Sequence, residues 1–164
     1  MRARSRRFSR LAWPLPANGE PGAWVEAEPR ACASGIHACL PKGLPYWLTD
    51  ELWTVELDDV QSAEHKLVAR RGRLLEQVRA WDDEAMRDFA LDCAARADAI
   101  LARDPSVADY VQDAQRLAGA GKAAVTAFVV ARVAELADGA GAYDAERSAQ
   151  ARWLVERLDL GAFS

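Results

Sequence analysis

Alternation of apolar and polar residues is clearest at Leu52-Trp53-Thr54-Val55-Glu56-Leu57-Asp58, where Trp53, Val55 and Leu57 fall on one face and Thr54, Glu56 and Asp58 on the other. A period of two predicts a half-buried strand. Residues 23–28 alternate weakly, and Gly35-Ile36-His37-Ala38-Cys39 reads as a short strand leaving a glycine turn. Further strands are expected at residues 65–69 and 73–78, separated by an Arg70-Arg71-Gly72 turn. The connections are too short for crossovers, so the predicted sheet is small and mostly antiparallel. Prolines and glycines crowd residues 11–50 and predict turn-rich structure between the first strands.

From Trp81 the period lengthens to that of helices. Asp82 is a suitable N-cap with Asp83 and Glu84 in the first turn, and Met86, Phe89, Cys93, Ala97 and Ile100 form an apolar stripe. Asp104-Pro105-Ser106 ends that helix and starts a second, with an expected inner face of Val107, Tyr110, Val111, Ala114 and Leu117. After Gly119 and Gly121 a third helix is expected to bury Val125, Phe128, Val129, Val133 and Leu136. A fourth runs from about Asp144 to Leu158. On it Glu146, Gln150, Trp153 and Arg157 share one face, read as structural rather than catalytic. The predicted architecture is α+β, with a small mostly antiparallel sheet and turn-rich loops in the N-terminal half packed against about four helices in the C-terminal half.

The length of 164 residues fits one domain, expected over residues 11–164. With 51% hydrophobic and 28% charged residues the composition is that of a globular protein, and no apolar run reaches the roughly 20 residues needed to span a bilayer. The net charge of -4 is uneven: Arg2, Arg4, Arg6, Arg7 and Arg10 leave -9 on the remaining residues. The first ten residues are read as a disordered basic tail, capable of no more than weak, salt-sensitive contact with nucleic acid. Ser5-Arg6-Arg7-Phe8 resembles a twin-arginine export signal, but Leu11-Ala12-Trp13-Pro14-Leu15-Pro16 stands where the apolar segment should be, so export is not expected. The odd number of cysteines, Cys32, Cys39 and Cys93, then points to reduced thiols in a cytoplasm.

Reactive side chains are densest at Cys32-Ala33-Ser34-Gly35-Ile36-His37-Ala38-Cys39. On a strand His37 and Cys39 project from the same face, and Cys32 lies across the glycine turn. Cys32, His37, Cys39 and His65 together would suit tetrahedral zinc, but the C-x4-H-x-C spacing matches no standard finger or ribbon, so no cofactor is predicted. A nucleophilic Cys39 or Cys32 activated by His37, with Glu26 or Glu56 orienting the imidazole, is an alternative. Aromatic side chains gather in the same half. Pro45-Tyr46-Trp47-Leu48, read as a proline-bounded loop, is placed to wall a ligand pocket with Tyr46, Trp47, Trp53 and Glu56. Gly119-Ala120-Gly121-Lys122 lacks both the spacing and the preceding strand of a phosphate loop.

Trp13-Pro14-x-Pro16, Gly22-Ala23-Trp24-Val25-Glu26, Cys32-x-x-Gly35-Ile36-His37-Ala38-Cys39 and Leu44-Pro45-Tyr46-Trp47-Leu48 together resemble an uncharacterised family of bacterial proteins, mostly actinobacterial. Glu146-Arg147-x-x-Gln150-x-x-Trp153-Leu154 extends the resemblance toward the C-terminus. It implies no activity, because none is known for that family. Two classes of function follow from the residues: a small cytoplasmic domain that binds a ligand or protein partner through an aromatic pocket near the Cys/His segment, or a small enzyme using His37 with Cys39 or Cys32 on a small-molecule substrate.

Overall fold

The alternation at residues 52–58 becomes one arm of a long antiparallel hairpin. The computed structural model describes residues 2–4, 12–28, 35–63 and 65–161. Its strands are β1 (Arg2–Arg4), β2 (Ala12–Pro14), β3 (Val25–Glu26), β4 (Ile36–Ala38), β5 (Trp53–Ala63) and β6 (Lys66–Gln77). Its helices are α1 (Leu44–Trp47), α2 (Asp83–Leu101), α3 (Ala108–Gly119), α4 (Ala123–Asp138) and α5 (Ala140–Leu158). The fold is therefore α+β. None of the described helices is long and apolar enough to cross a membrane. The chain, read from sequence as one domain, divides into two compact units: residues 1–40 with 51–79, and residues 41–50 with 80–164.

In the first unit β5 pairs with β6 along the whole hairpin, from Trp53 opposite Gln77 to Ala63 opposite Lys66. The other edge of β6 is shared by β3, opposite Arg71 and Gly72, and β4, opposite Leu67 to Ala69. Strand β6 thus runs straight through Arg70-Arg71-Gly72, where a turn was expected. Gly72 serves close packing instead: a Cβ there would lie 3.1 Å from both Ile36 Cγ2 and Leu57 Cδ2. Its lack of a side chain lets two aliphatic groups meet over the strand. Trp13, Ile36, Ala69 and Leu74 form the buried cluster of this unit, with Trp53, Val55 and Leu57 packed against it. Arg2–Arg4, in the stretch assigned from sequence to a tail, pair antiparallel with Ala12–Pro14. Arg6, Arg7 and Arg10 lie outside the described residues.

In the second unit side-chain capping marks the start of α2 and of the 3-10 turn Pro105–Val107 that leads into α3, whereas α3, α4 and α5 begin without a side-chain cap. Asp82 accepts the backbone N–H of Ala85 at 2.9 Å, and Asp104 accepts that of Ser106 at 3.0 Å. Phe89, Cys93, Ala97 and Ile100 of α2 are buried, as are Val107, Val111 and Ala114 around α3. Tyr110 is exposed instead. The larger correction concerns α4. Its buried side is Ala123, Thr126, Ala127, Val130, Ala131, Val133 and Ala134, whereas Val125, Phe128 and Leu136 are about half exposed, at 50%, 49% and 51%. α4 carries large apolar residues on its outer side, among Arg132 and Glu135, as well as on its inner one, and packing takes the small alanines inward. The last helix begins at Ala140 rather than near Asp144, because only Gly139, at φ 88°, breaks the chain there. The segment 44–48, read as a pocket loop, forms the single turn of α1 within the helical unit.

Candidate functional site

The residues expected to form one site are distributed over both units. His37 and Cys39 stand on and just after β4 in the sheet unit, together with Trp53 and Glu56 on β5; Tyr46 and Trp47 stand on α1 in the helical unit. Cys32 lies outside the described residues. His65 occupies the exposed turn between β5 and β6. Among the described residues no group of three or more His, Cys, Asp or Glu side chains is arranged to hold a metal ion.

Opposite Val68 in the sheet, His37 has its Nε2 buried without a hydrogen-bond partner. Burial first, and the charge of Lys66 second, hold the imidazole pKa below its ordinary value of 6.5, so the ring is neutral at physiological pH. Burial likewise pushes the Cys39 thiol up to about 11. A thiol so protonated is a poor nucleophile, opposite to what a catalytic cysteine requires. The carboxylates proposed to orient His37 are engaged elsewhere. Glu26 lies 3.2 Å from Arg71, and Glu56 accepts from Arg73 at 2.7 Å. Trp53 donates its indole N–H to Glu51 at 3.2 Å.

Sequence reasoning missed what those arginines do. Arg71 and Arg73 are two apart on one strand and therefore share a face, and both guanidinium groups lie 4.9 Å from the centre of the Trp24 ring. Asp58, opposite Arg71 in the hairpin, adds a contact at 3.4 Å. The result is a charge ladder with both signs interleaved around one indole, a stabilising cross-strand arrangement rather than a basic patch.

The most extensive buried polar network belongs to the helical unit. Glu146, Arg147 and Gln150, one or three to four residues apart on α5, are all buried. Gln150 Nε2 donates to Ala127 O at 2.9 Å and to Glu146 Oε1 at 2.8 Å. Glu146 also accepts from Arg96 Nε at 3.0 Å, and Arg96 is bonded in turn to Asp92 and to the sulfur of Cys93. Arg147 donates to Gln150 Oε1 at 3.1 Å, to Pro45 O at 3.2 Å and to the Tyr143 hydroxyl at 3.3 Å. Three rings enclose its guanidinium: Tyr46 at 4.9 Å, Tyr143 at 5.4 Å and Phe128 at 5.7 Å. Trp153 joins the core against Phe89, ring centres 5.2 Å apart, and Arg157 faces Asp88 at 3.9 Å. Glu146 and Gln150 of the shared face are thus buried and hydrogen-bonded within the helical unit, with Trp153 packed beside them. Arg96 and Arg147 carried no sequence signal, since arginine is ordinarily a surface residue.

A shallow groove beside this network is lined by Phe128, Arg132, Glu135, Ala140, Tyr143 and Asp144, with a volume of about 340 Å³. Compared with known proteins, the chain matches no family model, no curated protein and no solved structure. A functional reading therefore rests on geometry alone.

Proposed function

We propose that this protein is a partner-binding domain of the bacterial cytoplasm, and that it contacts its partner through the outer face of α4. One observation carries the reading. Val125, Phe128 and Leu136 are each about half exposed on a helix whose opposite face is already filled by Ala127, Val130, Ala131 and Ala134. Large apolar side chains aligned in this way on a folded unit characterise protein interaction surfaces. The adjoining groove, with Phe128 on its wall, widens the same surface toward Tyr143 and Asp144. A protonated Cys39 and a neutral His37 with its carboxylates engaged favour binding over an enzyme built on those residues.

The test is quantitative capture from an isotope-labelled bacterial lysate, with the full chain and its Val125→Glu/Leu136→Glu variant as bait. Circular dichroism and thermal unfolding first establish that both are equally folded. The reading expects at least one protein enriched by the wild type and lost with the variant. Identical capture by the two baits overturns it.

A further inference from the structure

We draw no further inference here: the strongest candidate, the side-chain cluster of His37 and Val68 where β4 pairs with β6, in which His37 Nε2 is buried without a hydrogen-bond partner, carries none because nothing among the described residues shows what covers that face of the sheet.

Discussion

Arg147 donates from Nη1 to the carbonyl oxygen of Pro45 at 3.2 Å, joining residues 102 apart in sequence. The bond anchors the segment 41–50, which departs from the sheet unit between β4 and β5, among the helices. A second anchor is the indole N–H of Trp81, which donates to Thr49 O at 2.8 Å. The Arg147 guanidinium is buried among neutral acceptors and aromatic faces, so its contribution is geometric as well as electrostatic.

Replacing that guanidinium leaves Pro45 O and Gln150 Oε1 without their donor inside the unit. Arg147→Met, which keeps the length of the stem, is expected to lower stability by about 2–4 kcal/mol, the cost of buried acceptors left unpaired. Urea unfolding measures it. Arg147→Lys should recover little, because an ammonium cannot stack flat between Tyr46 and Tyr143 while reaching both acceptors.

Gly72 is tested by the smallest change. A Cβ at this position presses on Ile36 and Leu57 at 3.1 Å and on the Glu56 carbonyl oxygen at 3.3 Å, and a backbone atom cannot yield as a side chain can. Gly72→Ala should cost about 1–3 kcal/mol, the usual range for overpacking. An unchanged melting temperature would show that β5 and β6 separate freely at this point.

The pH dependence of stability follows from His37. Burial and then the charge of Lys66 hold its folded pKa below 6.5, the value it regains on unfolding. Below 6.5 the unfolded chain therefore binds more protons than the folded one. The contribution to stability is complete above that pH and is lost as the pH falls toward the lower, folded pKa. Thermal melts between about pH 7.5 and about pH 5.5 should show a larger fall for the wild type than for His37→Leu, and parallel curves would contradict this assignment.

Cys39 should react slowly. With its pKa raised to about 11 from 9.0, the thiol is about 100-fold less ionised near pH 8 than an unperturbed one. Iodoacetamide labelling followed by peptide mass spectrometry should find Cys39 alkylated on that slower scale in the folded protein, and at the ordinary rate in urea. Rapid labelling of the folded chain would reopen the case for a nucleophile.

Much of the fold was legible from local chemistry. Asp82 and Asp104 marked helix starts because a carboxylate satisfies free N–H groups wherever a helix begins, and residues 52–58 declared a strand because alternation is a property of the chain itself. Tertiary structure decided what local chemistry leaves degenerate. Periodicity could not choose between two apolar faces of α4, and packing turned the alanines inward and left Val125, Phe128 and Leu136 outside. Arg70-Arg71-Gly72 has the composition of a turn, yet pairing on both edges of β6 makes it strand. Nor could composition reveal that Arg147 is buried. Its acceptor on Pro45 and the rings of Tyr46, Phe128 and Tyr143 come from separate elements, and only folding brings them together.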